Sequence, residues 1–224
     1  MGAGTKKRIL DAAERLFADR GYASTSLRTI TKAAGVNLAA VHYHYHSKDV
    51  LLDQVIDRRA SEVNRMRLEM LDRFRREARG RPVTLEKIME AFLAPAFHML
   101  RTYPKIGQRF TRLMGRLHAE GDLPHQIMRR RFGPIVKVFH DALQESLPKL
   151  PPGDLAWRTH FMIGAMAHTL RWGQQMEITP GAGPLLIDEG LLPRLIAFLC
   201  AGFRVAPESA HRRPSSQKIL KVKP

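Results

Sequence analysis

The sequence predicts an all-α chain in which a small three-helix N-terminal unit is followed by a larger helical one, and three observations predict it. Apolar residues recur three and four positions apart in almost every segment, the period of a helix with one buried stripe. No stretch of useful length alternates apolar and polar residues at the strand period. Helix-capping and helix-breaking residues cut the pattern into helix-sized pieces. With 224 residues and 44% hydrophobic content, the chain can bury a sizeable core.

Taken in order, Thr5 is placed to cap a first helix running to Arg20, with Ile9, Ala12, Ala13, Leu16 and Phe17 as its buried stripe. Gly21 is placed to end it in a left-handed cap. Thr25 or Ser26 caps a second helix whose Leu27, Ile30, Ala33 and Ala34 face the first. Gly35 admits the positive φ of a tight helix–helix turn, and Val36 plugs the core beneath it. Asn37 caps a third helix, Leu38 to about Tyr45. Ser47 caps a fourth, with Asp49 suited to the positive end of its dipole.

The helical pattern then persists unbroken to Gly80-Arg81-Pro82, through a segment dense in charges of both signs that reads as the solvated face of a long connecting helix. Thr84 caps the next helix, which Pro95 is expected to kink. Tyr103-Pro104 punctuates, Ile106 to His118 is amphipathic, and Gly121 ends it. Pro124 opens a helix to about Leu147, expected to be interrupted at Gly133-Pro134. Asp154 caps a very apolar helix to about Met176, a loop over Thr179 to Pro184 follows, and the last helix runs from Leu185 to Phe203. The expected division is residues 1–50, residues 51–206 (51–80 being the connecting helix), and a disordered basic tail over 207–224 that carries Arg212, Arg213, Lys218, Lys221 and Lys223.

The formal net charge is +16, which suits a polyanionic partner. A single cysteine, Cys200, excludes an internal disulfide framework and reads as a small core residue. No stretch approaches the roughly 18 to 20 uncharged apolar residues of a membrane span, and MGAGTKKRIL has no apolar run of signal-peptide length. The expectation is a cytoplasmic protein without a membrane partner. There is no G-x-S-x-G, P-loop, HExxH or spaced Cys/His pair, so an enzyme is not expected, nor is a catalytic residue or a cofactor.

The second and third helices with their Gly turn form a helix-turn-helix. A helix laid in the DNA major groove offers short or donor side chains to base edges and hydrogen-bonding groups to phosphates. Asn37, Leu38, Ala39 and Ala40 form the exposed first turn of the third helix, with His42 reaching bases or backbone. Tyr43, His44 and Lys48 follow at spacings that reach phosphates, and Arg28, the Thr25 and Ser26 hydroxyls and Lys6 of the basic Lys6-Lys7-Arg8 arm grip the adjacent strand. His42 and His46, at i and i+4, have the spacing of a metal chelate, but no third ligand joins them on that face, so DNA or solvent is the expected partner and no metal site is expected.

The segment ILDAAERLFADRGYASTSLRTITKAAGVNLAAVHYHYHSKDVLL, Ile9 to Leu52, closely resembles the TetR family of bacterial transcriptional regulators. It carries the family's A-x-x-L-F, G-[YF], T-[ST]-x-x-x-I-x-x-x-A-G-V and Y-x-[YHF]-[FY]-x-[ST]-K-[DE]-x-L patterns and departs from them at Val41, His42 and His46. The resemblance implies a DNA-binding head, a C-terminal ligand-binding and dimerisation domain, and a regulator, expected to be a repressor, that binds double-stranded operator DNA as a homodimer. VNLAAVHYHYHSKD and LPPGDLAWRTHFMIGAMAHTL further resemble the subgroup typified by the fatty-acid-responsive repressor of pseudomonads, which implies an acyl-chain or acyl-CoA-like effector.

Two features of the C-terminal part bear on those roles. Bulky flexible apolar residues, among them Phe92, Phe97, Met114 and Phe132, are candidates to line a pocket for a small apolar effector, as are Phe139, Met162 and Met166. The last two helices carry more apolar surface than one stripe needs. Trp157, Phe161, Gly164 and Ala165 on one, and Leu195, Phe198 and Leu199 on the other, are the expected dimer face. A ligand-independent architectural DNA binder is the alternative reading, and it predicts no pocket. A helical enzyme with a basic phosphate-recognising surface is the other rival, and it predicts a cleft of clustered titratable groups.

Overall fold

The structure, a computed structural model, describes residues 2–172 and 188–206. Among these residues it is all helical, with α1 (Gly2–Arg20), α2 (Leu27–Ala34), α3 (Leu38–Tyr45), α4 (Lys48–Ala78), α5 (Leu85–Thr102), α6 (Pro104–Leu117), α7 (Asp122–Ser146), α8 (Pro152–Trp172) and α9 (Leu191–Arg204). The expected loop over Thr179 to Pro184, the ends of its flanking helices and the basic tail lie outside the described residues. No helix among the described residues is long and apolar enough to cross a membrane.

Local chemistry fixes the N-terminal helices. Ser26, Asn37 and Ser47 stand in extended conformation, and each accepts the backbone N–H three residues on, from Thr29, Ala40 and Val50. Gly21 and Gly35 take the left-handed conformation that the two tight turns require. Ile30 and Ala34 of α2, Val41 and Tyr45 of α3, and Ile9, Ala13 and Phe17 of α1 are buried together. Two details differ from expectation. The first helix begins at Gly2, so Thr5 lies inside it and Lys6-Lys7-Arg8 form helical turns rather than an arm. Ala33 is exposed, because Ile30 and Ala34 already fill the stripe at i and i+4.

The 31-residue α4, about 46 Å at 1.5 Å per residue, spans both units. Its first half completes the N-terminal core through Leu51, Leu52, Val55 and Ile56, and its second half enters the C-terminal core at Leu71 and Phe74. Glu14 of α1, fully buried, is paired to Arg58 and Arg59 of α4. Arg131 of α7 holds Asp53 and Asp57 of α4, the latter at 2.7 Å, and Arg130 adds a 2.7 Å contact to Asp53. Burial alone would raise the Asp53 carboxyl, but the hydrogen bonds from Arg131 and Arg130 outweigh it and hold the group below its ordinary value.

The C-terminal unit packs α5, α7, α8 and α9 against the end of α4. Helix α5 runs through Pro95, and α7 is a single helix through Gly133-Pro134 rather than two pieces. The lost hydrogen bond at Pro134 is outweighed by Ile127, Ile135 and Phe139, which are buried on both sides of it. Other boundaries also differ. Helix α6 ends at Leu117, leaving Gly121 to open α7; α8 starts at Pro152 rather than at Asp154; and α9 starts at Leu191 rather than at Leu185. Near the start of α6, Gly107 packs so closely on α5 that a Cβ there would lie 2.7 Å from the Leu100 Cα.

Candidate nucleic-acid interface and apolar cavity

Helix α3 is held from beneath. Val41 and Tyr45 are its buried anchors, and the Tyr45 hydroxyl donates to the Lys6 carbonyl at 3.0 Å. Burial pushes that phenol up to about 12. The opposite face is open, with Leu38, Ala39, His42 and Tyr43 exposed, Tyr43 to 79%. Ala40 and His44 are half-buried at its margins. Asn37 is exposed, and its side-chain oxygen accepts the Ala40 N–H at 2.8 Å, which leaves its amide NH₂ and one oxygen lone pair to address a partner. Arg28, Ser26 and the Lys6 side chain are exposed on α2, its cap and α1.

Lys48 is half-buried, with its ammonium 3.1 Å from the Tyr22 carbonyl and 4.1 Å from the Tyr22 ring centroid. The Tyr22 hydroxyl in turn donates to Asp49, and burial and that contact raise its pKa. Thr25 does not fit the expected contact set. It is 1% exposed, and its hydroxyl donates to the Gly21 carbonyl at 2.7 Å, which closes the α1–α2 turn. The His42/His46 pair also departs from helical spacing. His46 caps α3 at φ 59°, and the His42 ring nitrogen meets the His46 carbonyl at 3.2 Å. Among the described residues no group of three or more His, Cys, Asp or Glu side chains is placed to hold a metal ion.

Helix α6 ties this head to the C-terminal unit. Leu113 and Leu117 enter the head's core, and Arg112 pairs with Asp19 at 2.8 Å. Just past the helix, one Glu120 carboxylate oxygen accepts the N–H groups of Tyr22, at 2.8 Å, and Ala23, at 3.1 Å. The opposite face of α6 carries Thr111, Met114 and Gly115, which with His118 line an apolar cavity of about 250 Å³ closed by α4, α5, α7 and α8.

Of the expected pocket residues, Phe92, Met114, Phe132 and Met166 line this cavity. Phe97, Phe139 and Met162 do not. They are buried in the C-terminal core, where the Phe139 ring meets Phe92 edge-on at 5.1 Å. The sequence reading missed Arg67, which is 3% exposed and reaches the cavity wall from α4. Its place was legible, since it falls in the buried register between Val63 and Leu71.

The last two helices leave an apolar face uncovered. Trp157 and Phe161 stack at 5.8 Å between centroids and are more than 60% exposed, as is Phe198 on α9. Gly164 is exposed and Ala165 half-buried on the same helix. Leu195 and Leu199 do not share that face. They turn inward and join the C-terminal core.

Comparison with known proteins bears on this arrangement. The family model "Bacterial regulatory proteins, tetR family" matches residues 9–55, and "Tetracyclin repressor-like, C-terminal domain" matches residues 90–202, about half of the chain. The transcriptional regulator AcrR of Shigella flexneri is 39% identical over 70 residues, 31% of this chain and 33% of that protein. The transcriptional repressor KstR2 of Rhodococcus jostii is 35% identical over 54 residues, 24% of this chain and 26% of that protein. The chain thus spans about a third or less of the length of these curated relatives. The fold is shared with a fatty acid degradation regulator, FadR of Bacillus halodurans, at TM-score 0.62 and 16% identity over 89% of this chain and 96% of that one. It is also shared with the ketosteroid transcriptional regulator KstR2 of Mycobacterium tuberculosis, at TM-score 0.58 and 19% identity over 88% and 93%.

Proposed function

The chain belongs to the TetR family of bacterial regulatory proteins, and from that premise we propose a homodimeric repressor that reads a pseudo-palindromic operator and is released by a small apolar effector. The observation that carries the DNA half is the open face of α3. Its first turn is short and apolar, and donors and aromatics from α1, α2, α3 and α4 surround it. Two such heads, one turn of duplex apart, would enter successive major grooves. Affinity would come largely from phosphate contacts by Lys6, Arg28, Tyr43, His44 and Lys48. With Leu38, Ala39 and Ala40 toward the bases, methyl contacts, His42 and DNA shape would carry much of the specificity.

The exposed Trp157, Phe161 and Phe198 supply the apolar face on which a second copy would pack. The cavity supports a ligand-responsive regulator over an architectural DNA binder. Its α6 wall has the head's core and the Glu120 contact on its far side, so a ligand that favours one α6 position favours one head position. The shared fold with a fatty acid degradation regulator is in keeping with an acyl-chain effector.

Anisotropy titrations of the full-length protein against selected and random duplexes test the DNA half. Tyr43→Ala and Lys48→Ala should weaken binding to all duplexes alike, and Lys48→Ala, which removes a cation, should also lower the salt slope by about one. A substitution at Ala40 should instead change which sequence is preferred. Wild-type protein that binds no duplex, or a Tyr43→Ala variant as tight as wild type on all of them, contradicts the reading.

A further inference from the structure

Arg67 is a buried cation with no charged partner among the described residues. Its Nε donates to the Phe92 carbonyl at 2.8 Å, one Nη donates to the Asn64 side-chain oxygen at 3.0 Å, and the other Nη lies 3.5 Å from the Met166 sulfur. The Phe92 ring covers the guanidinium at 4.2 Å from its centroid. All four partners are neutral, and sulfur is a weak acceptor for a group with five N–H donors. Among the described residues no carboxylate is within ion-pair distance of Arg67, in contrast to Arg58 and Arg131, which hold two each, and Arg130, which holds one. Burial lowers its pKa to about 10, which leaves it charged at neutral pH.

Two of its neighbours, Phe92 and Met166, line the apolar cavity, as does Arg67 itself. We propose that Arg67 is the anchor for the carboxylate of an amphipathic monocarboxylate whose apolar body fills this cavity. A planar guanidinium matches a carboxylate through two parallel hydrogen bonds, and a charge-assisted pair in a dry site is stronger than one in water. A monoanion balances the single buried charge, whereas a phosphate dianion would leave a negative charge in an apolar enclosure. An apolar cavity of ~150 Å³ accommodates benzene, so about 250 Å³ takes a body on the order of ten carbons. Arg171 and His118 also line the cavity, but Arg171 lies against Gly115 and is only half-buried, and the His118 ring is hydrogen-bonded to the Met114 carbonyl at 2.8 Å.

The proposal rests on the effector cavity of the regulator reading, and its test is run without DNA. Calorimetry on the full-length protein compares sodium decanoate with 1-decanol, which has the same chain and no charge. Decanoate should bind about tenfold tighter or more to wild type, and Arg67→Met and Arg67→Gln should each bring the two ligands to near-equal affinity. Gln keeps neutral donors at the site, so it serves where Met does not fold. Equal affinities in wild type, no decanoate binding below its micellar range, or a preference that survives both substitutions overturns the assignment. Any of these overturns the anion site alone, whereas wild-type protein that binds no duplex in the separate anisotropy titrations overturns the regulator reading.

Discussion

Glu120 joins the two units at one point, and replacing it with alanine has a calculable consequence. The wild-type carboxylate accepts two backbone N–H groups from the α1–α2 turn, at 2.8 and 3.1 Å. A hydrogen bond to a charged group contributes ~1.5–3 kcal/mol when water cannot replace it. Ala23 is exposed, so water recovers most of its bond, while the Tyr22 amide is half-buried and recovers little. Together the two bonds should be worth about 2 kcal/mol, which for a chain of this size lowers the melting temperature by roughly 4–8 °C. Glu120→Gln keeps an oxygen acceptor without the charge and should lose about half as much. Differential scanning fluorimetry measures both, and amide exchange at Tyr22 and Ala23 should accelerate more than exchange in α2. An alanine variant within about 1 °C of wild type, with unchanged exchange at those two amides, refutes the reasoning.

Two further outcomes are expected. Because the folded Asp53 carboxyl is held below its ordinary value, its contribution to stability is present above the normal carboxylate range and disappears as pH falls through the lowered value. Asp53→Asn should therefore cost about 1.5–3 kcal/mol near neutrality and flatten the acid limb of the melting-temperature profile, and an unchanged acid limb would show that the Asp53 pairs with Arg130 and Arg131 do not stabilise the fold. Trp157→Glu or Phe198→Glu, which puts a charge on the exposed apolar face, should weaken self-association by about 2–4 kcal/mol, read by sedimentation velocity. A wild-type chain that sediments as a monomer at micromolar concentration would contradict the dimer.

What the sequence disclosed divides by range. Ser26, Asn37 and Ser47 were legible as caps because each bond reaches only three residues along the chain. The head was legible as a whole because its turns need glycine and its helices are short. Non-local packing was not. Pro134 reads as a break in isolation, yet α7 passes through it because buried residues on both sides hold the helix together. On α9 the surplus of apolar residues signalled two faces, but which of Leu195, Phe198 and Leu199 pointed outward depended on where α5 and α8 lay. The same holds for Phe97, Phe139 and Met162, which match the cavity residues in type and differ only in what packs around them. Arg67 is the reverse case. The register that buries it was on the page, but the density of arginines around it read as a solvated face.

The contact at Gly107 gives α6 a mechanical character. With no side chain to separate them, the start of α6 sits directly on the backbone of α5 at Leu100, so that end has little freedom to translate. The far end, about 16 Å away at 1.5 Å per residue, has His118 at the cavity and Glu120 at the head. A helix fixed at one end swings rather than slides. A tilt of about 5° about Gly107 would carry its far end by ~1.4 Å over that length, and a movement of that size directed away from the α1–α2 turn would lengthen both Glu120 hydrogen bonds beyond useful range. On the proposed ligand-responsive reading, a small ligand in the cavity would act on the head through angle alone, without having to displace the helix as a body.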